Sequence, residues 1–113
     1  MASKHLITLA QAAKMTKNYR ALKENILDIS FRRKDILPES ETFTRDAFEA
    51  ILAQKGCSGV RIYLAADDLG QVKVMAVGVD AQDQDILTES DPVIIEEGIR
   101  CPTQCPPPST LNT

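Results

Sequence analysis

The feature that most constrains the fold is a pair of segments with strand periodicity on either side of a short turn. Residues 60–65 alternate aliphatic side chains at even positions with other side chains at odd positions, the pattern of a strand with one buried face. Residues 67–70, Asp-Asp-Leu-Gly, predict a turn. Residues 72–79 predict a second strand. It is apolar on both faces beyond Val74, so we expect it to lie in the middle of a sheet or to be covered by another subunit.

A first helix is predicted from a capping-box pattern, in which Thr8 is followed three residues later by Gln11. Apolar residues then recur at helical spacing until about Ile29, and lysine and arginine residues occupy the opposite side. The pattern indicates an amphipathic helix of more than average length. We therefore expect this helix to pack on the sheet or on a second copy of itself.

A second helix is predicted after Thr44, because Phe43 and Phe48 stand at the two positions of a hydrophobic staple. Gly56 is a natural stop for this helix. Between the two helices, residues 30–43 contain a proline and no clear period. We interpret them as a connector with an irregular turn.

The strand pattern weakens after the predicted hairpin. Residues 85–88 predict a short third strand, and residues 93–95 predict a fourth strand or an edge segment. From Cys101 onward, four prolines and several small polar residues leave no period, which predicts an extended surface tail. The predicted fold is α+β: a single domain over residues 1–100, with two N-terminal helices on a small, mostly antiparallel sheet of three or four strands, and a tail over residues 101–113.

Length and charge limit the classes of function. At 113 residues the chain has about the commonest length of a single domain, and such a domain can bury a core without cross-links. A net charge of −3 argues against nucleic acid or an anionic membrane as a partner, because both need a basic surface. No apolar run approaches the roughly 20 residues that span a bilayer, and the N-terminal residues lack a signal-peptide pattern. We therefore expect a cytoplasmic protein.

Three segments of the sequence carry a resemblance to other proteins. They are residues 56–63, Gly-Cys-Ser-Gly-Val-Arg-Ile-Tyr; residues 77–81, Val-Gly-Val-Asp-Ala; and the Cys/Pro-rich tail. In these segments the chain resembles a group of small bacterial proteins of uncharacterised function. The resemblance implies a stand-alone small protein whose helical N-terminal half leads into a strand pair and a Cys/Pro-rich end. It supplies no activity.

The three cysteines are the candidate site. Zinc is usually held by four Cys or His donors in a closed tetrahedron. Three residues lie between Cys101 and Cys105, and Cys57 would join them if the tail returned across the sheet. The fourth ligand would be His5, the only histidine, or a carboxylate or water. The predicted metal ligands are therefore Cys57, Cys101 and Cys105, and zinc is the one cofactor that the sequence suggests.

Two other states of the cysteines stay open. A disulfide could join Cys101 to Cys105, or Cys57 to either of them. Alternatively, the cysteines are inert: Cys57 follows the end of the second predicted helix, where the dipole disfavours a thiolate. An odd number of cysteines without a secretion signal favours free thiols in a reducing compartment.

No catalytic residue is predicted. A Ser-His-Asp or Cys-His arrangement would have to use His5. Asp80, Asp83 and Asp85 resemble a calcium loop only loosely, since the glycine and the closing glutamate of an EF-hand are missing. We interpret these aspartates as a solvated turn.

These observations leave two classes of function. The first is a non-enzymatic protein-interaction or accessory module, which binds a protein partner or forms a homodimer. The second is a metal-binding, zinc-containing protein or a thiol-redox protein that uses Cys57, Cys101 and Cys105.

Overall fold

The computed structural model describes residues 4–87 and 92–113. In chain order the elements are α1 (Leu9–Leu22), a 3₁₀ turn (Ile29–Phe31), β1 (Ser40–Thr42), α2 (Arg45–Leu52), β2 (Gly59–Ala66), β3 (Val72–Val79), β4 (Ile94–Ile95) and β5 (Ile99–Cys101). The strands of the described residues make two antiparallel sheets, one ordered β2-β3-β4 and the other β1-β5, so the predicted α+β class is confirmed. No helix in these two ranges is long and apolar enough to cross a membrane.

The predicted hairpin is confirmed. β2 and β3 pair along their full lengths in one continuous register. In the turn between them, one carboxylate oxygen of Asp67 accepts the backbone N–H groups of Leu69 and Gln71 at 3.0 and 2.9 Å. Gly70 has φ +83°, a left-handed conformation that favours glycine. β3 lies between β2 and β4, the central position that its two apolar faces predict.

Helix α2 covers one face of this sheet at one end. The rings of Phe43 and Phe48 meet edge to face with centroids 6.0 Å apart, which confirms the hydrophobic staple. Ile51 is completely buried beneath the helix and forms the core with Ala76 of β3 and Ile95 of β4. The best-buried part of the molecule is therefore the contact between α2 and the middle of the sheet.

The helix ends at Leu52, earlier than the stop predicted at Gly56. The turn that follows lies directly on β3, because a Cβ atom placed on Gly78 would lie 2.9 Å from Gln54 Oε1 and 3.1 Å from Cys57 Sγ. Gln54 and Cys57 therefore pack against Gly78 of β3 in the turn after the helix has ended. Gly56 instead occupies a left-handed turn position, with φ +79°, on the way into β2.

Helix α1 begins with the predicted capping box: the Thr8 hydroxyl accepts the Gln11 N–H at 3.1 Å, and the Gln11 side chain accepts the Thr8 N–H at 2.9 Å. The prediction that this helix continues to about Ile29 is wrong, since it ends at Leu22. Asp28 starts a separate 3₁₀ turn by accepting the backbone N–H of the residue two positions on, which competes with a continuing helix.

The expected packing of α1 on the sheet is not confirmed. No residue of α1 is buried. The Tyr19 hydroxyl donates a hydrogen bond to the Pro38 carbonyl at 2.6 Å, and Arg20 donates to the backbone oxygens of Leu111 and Thr113 at 2.8 and 3.1 Å. These contacts attach α1 to the connector and to the C-terminal residues.

The second sheet was not predicted. β1 lies within the segment interpreted as a connector, and β5 reaches into the predicted tail. Glu41 of β1 stands opposite Arg100 of β5. Glu41 Oε2 accepts the Val74 N–H at 2.8 Å, and Arg100 donates to the carbonyls of Asp35 and Ile36 at 2.6 and 2.8 Å. This cross-strand pair therefore connects the second sheet to β3 and to the connector.

The predicted third strand is wrong for residues 85–87. Asp85 makes a single bridge to Val79, and the Ile86 N–H donates to the Gly78 carbonyl at 2.9 Å, but no strand forms there. Thr88, the last residue of that prediction, lies outside the described residues. The predicted fourth segment is present as β4. Cys101 ends β5 and is buried, so the first residue of the predicted tail belongs to a sheet.

Candidate functional site

Two of the three predicted site residues come together. Cys101 at the end of β5 and Cys105 four residues later form a disulfide. Cys101 is buried, with 5% of its surface exposed, whereas Cys105 is exposed. The expectation of free thiols is therefore wrong for this pair. Cys105 is therefore the more accessible residue of the pair.

A carboxylate group lies beside the two sulfur atoms of the disulfide. Glu39 Oε2 lies 3.7 Å from Cys101 Sγ, and ligand atoms of Glu39, Cys101 and Cys105 all lie within 4.8 Å of one another. The backbone N–H of Glu39 also donates to the Cys101 carbonyl at 2.7 Å, just beyond the pair of Ser40 with Cys101 that ends the sheet. The sheet register therefore places Glu39 beside the disulfide.

The disulfide borders a cleft of about 740 Å³ between α1, β1 and the C-terminal residues. Its size falls in the range typical of small-molecule sites. Met15 and Tyr19 of α1 form one wall, and Pro106, Pro107 and Leu111 form the other. Burial raises the pKa of Tyr19 above its ordinary value, so its hydroxyl stays a hydrogen-bond donor at neutral pH. The lining of the cleft is mostly apolar and includes both cysteines.

The third predicted ligand lies elsewhere. Cys57 is a free, half-buried cysteine that packs against the core beneath α2, and its thiol donates to the Gly59 carbonyl at 3.2 Å. Within residues 4–87 and 92–113, the group of side chains able to hold a metal contains neither Cys57 nor His5. The packing role considered for Cys57 fits this position. Zinc binding by the other two cysteines stays a prediction.

A cluster of polar and charged side chains lies on the face of the β2–β3 hairpin that is opposite to α2. Arg61 of β2 forms ion pairs with Asp85 at 2.5 Å and with Asp83 at 2.6 Å, and the Tyr63 hydroxyl donates to Asp85. The hydrogen bond from Tyr63, followed by that from Arg61, lowers the pKa of Asp85 below its ordinary value. The turn that contains these aspartates is thus held to β2 by charge-assisted hydrogen bonds.

Sequence reasoning missed Glu39. The residue has no motif around it, and it becomes part of the site only because β1 pairs with β5 across about sixty positions of the chain. The opposite charges of Glu41 and Arg100, which stand opposite each other in the two strands, would have been a usable signal for this pairing.

Comparison of the chain with protein-family models, with curated proteins and with solved structures found no match. Its function is therefore inferred from its own geometry and chemistry.

Proposed function

We propose that this protein is a non-enzymatic interaction module that binds a protein partner or a second copy of itself. The observation that carries the proposal is the amount of surface left open. The accessible surface is 8511 Å², whereas a folded monomer of 12.4 kDa exposes about 6100 Å². The excess of roughly 2400 Å² is larger than the roughly 800 Å² that each partner buries in a standard interface.

The open surface includes many large aliphatic side chains. Leu9 and Met15 on α1 expose 61% and 63% of their surface, and Ile62 and Leu64 on β2 expose 52% and 77%. Apolar side chains that cluster on a surface mark interaction sites more often than isolated ones do. We therefore assign partner binding to α1 and β2.

The test is to alter the two surfaces separately in the full-length chain and to measure the masses of its complexes by native mass spectrometry. We expect Leu9→Lys or Leu64→Lys to dissociate a stoichiometric complex, because a lysine must be desolvated at an apolar interface. Lys17→Gln, on an exposed position of α1, is the matched control. A chain that is monomeric at high micromolar concentration and forms no stoichiometric complex in cell extract would overturn the proposal.

A second candidate function is favoured by the group formed by Glu39, Cys101 and Cys105. In the cytoplasm, which we propose as the location, disulfides are usually transient and are used for catalysis or redox sensing. When reduced, the same three residues offer two thiolates and one carboxylate to a zinc ion, with water as the fourth ligand. The second candidate is thus a thiol-redox or zinc-binding protein.

The redox form exchanges two electrons with a dithiol. A thiolate of the dithiol forms a bond with Sγ of the exposed residue Cys105, the Cys101–Cys105 bond breaks, and Cys101 leaves as a thiolate that takes a proton from solvent. The second thiolate of the dithiol then attacks the dithiol sulfur that is bonded to Cys105, and Cys105 leaves as a thiolate that takes a second proton from solvent. The dithiol ends as a disulfide, and the protein ends with two thiols. The carboxylate of Glu39 accepts a hydrogen bond from the new Cys101 thiol.

This candidate is tested on the reduced protein by thiol titration and by elemental analysis. We expect one reactive thiol before reduction and three afterwards, and one zinc ion bound by the reduced chain. Cys105→Ser should abolish zinc binding, and Cys57→Ala should leave it unchanged. If excess dithiol leaves the pair oxidised, or if the reduced chain binds no zinc and shows no exchange with a dithiol couple, the candidate is excluded.

A further inference from the structure

The outer edge of β2 has the properties of a strand that lacks its neighbour. β2 is eight residues long and lies at the edge of its sheet, and no other described strand pairs with its outer side. It has no proline and a single charged residue, Arg61. Edge strands of monomeric proteins are usually short, charged, bulged or covered, because an open edge binds other strands. β2 is long and unbulged, carries one charge, and has no other strand of the described residues along its outer side.

The backbone groups of β3 show which groups of β2 point outward. The Val74 N–H donates to Glu41 at 2.8 Å, and the Gly78 carbonyl accepts from the Ile86 N–H at 2.9 Å. Both partners lie on the side of β3 away from β2. Val74 and Gly78 therefore form non-hydrogen-bonded pairs with the β2 residues opposite them.

Those opposite residues are Leu64 and Val60, and Ile62 lies midway between them. Hydrogen-bonded and non-hydrogen-bonded pairs alternate along an antiparallel ladder. The backbone N–H and C=O groups of Val60, Ile62 and Leu64 therefore point to the open edge. The same three side chains share one face of the sheet, and α2 covers that face only near Val60.

We propose that this edge pairs antiparallel with β2 of a second copy of the chain, which joins the two three-stranded sheets into one of six strands. Centred on Ile62, the pairing is symmetric, as a two-fold dimer requires. Val60 then faces Leu64 of the second copy, and Arg61 faces Tyr63. Apolar side chains meet on one face, and no like charges stand opposite each other.

The exposed side chains of β2 agree with this occupant. The pairing covers Ile62 and Leu64, which are half and three-quarters exposed, with apolar side chains of the second copy. The inference rests on the proposed interaction function and names the partner as a second copy and the surface as β2.

The first test is light scattering of the full-length chain at high micromolar concentration. We expect the wild type to have the mass of a dimer and Leu64→Lys to have half that mass. Leu69→Lys, equally exposed but in the hairpin turn, should remain dimeric. A monomeric wild type, or a Leu64→Lys variant that is still fully dimeric, would overturn the proposal.

The second test needs no variant. Hydrogen exchange of the backbone amides is measured by NMR on dilute and concentrated wild-type protein. The amides of Val60, Ile62 and Leu64 should exchange roughly tenfold or more slowly in the concentrated sample, whereas those of Arg61 and Tyr63, already bonded to β3, should change far less. Equal exchange at both concentrations refutes the β2 pairing. If the chain then still forms a complex with another protein, the interaction function stands without a dimer through β2.

Discussion

At the scale of single residues, Ile51 carries the core. Among the described residues it is the largest side chain that is completely buried, and it packs with Ala76 of β3 and Ile95 of β4. We expect Ile51→Ala to lower the free energy of unfolding by about 2–5 kcal/mol, because it leaves a cavity between a helix and a sheet. Urea denaturation measures the change. Leu52→Ala, one position along the same helix but 57% exposed, is the control and should cost far less. Equal losses would mean that α2 is not seated on the sheet as described.

Asp85 gives the molecule a pH dependence. Its folded-state pKa is lowered, first by the hydrogen bond from Tyr63 and then by Arg61, below the ordinary value of 3.8. The stabilisation is therefore fully present above pH 3.8 and is lost as the pH falls through the lower, folded-state pKa. We expect Asp85→Asn to lower the thermal midpoint at neutral pH, with a difference from wild type that shrinks in acid. Asp68→Asn, in the exposed hairpin turn, should show no such trend. A difference that stays constant into the acid range would contradict the assignment.

At the scale of elements, Arg100 connects the second sheet to the rest of the molecule. Its guanidinium donates to the backbone carbonyls of Asp35 and Ile36, which lose their partner if it is removed. We expect Arg100→Met to lower the free energy of unfolding by about 1–3 kcal/mol. Arg45→Met is the control, because Arg45 makes an exposed ion pair with Glu49 at 3.8 Å, and such pairs contribute about 0–1 kcal/mol. If the two variants lose equal stability in urea titrations, Arg100 does not join the sheets.

The elements that sequence predicts well are those whose signals are local. The hairpin of β2 and β3 follows from period-two alternation around an Asp- and Gly-containing turn, and the start of α1 follows from its capping box. β1 and β5 are three residues long, too short to show a period, and they pair across about sixty positions. Cys101 and Cys105 are close in sequence and could be singled out in advance. The approach of Glu39 could not, because it depends on the pairing of β1 with β5.

At the scale of the whole molecule, the chain is more open than its length requires. The Cα radius of gyration is 16.1 Å, whereas a compact domain of 113 residues has about 13 Å. Part of the difference comes from α1, which contains no buried residue, and part from the C-terminal residues against which it lies. The molecule thus has a core beneath α2 and a peripheral unit that consists of α1 and the C-terminal residues.

Such an arrangement predicts two levels of local stability. α1 is held by hydrogen bonds from Tyr19 and Arg20, whereas β3 is buried between two strands and beneath α2. In native-state hydrogen exchange, the amides of α1 should open at a lower free energy than those of β3. Arg20→Gln should speed exchange in α1 by about 2- to 10-fold, since it removes hydrogen bonds to the C-terminal residues, and leave β3 unchanged. Lys17→Gln, exposed on the same helix, should have no effect on either element. If α1 and β3 exchange with equal protection in the wild type, the molecule is one cooperative unit, and α1 is not a peripheral element that opens separately.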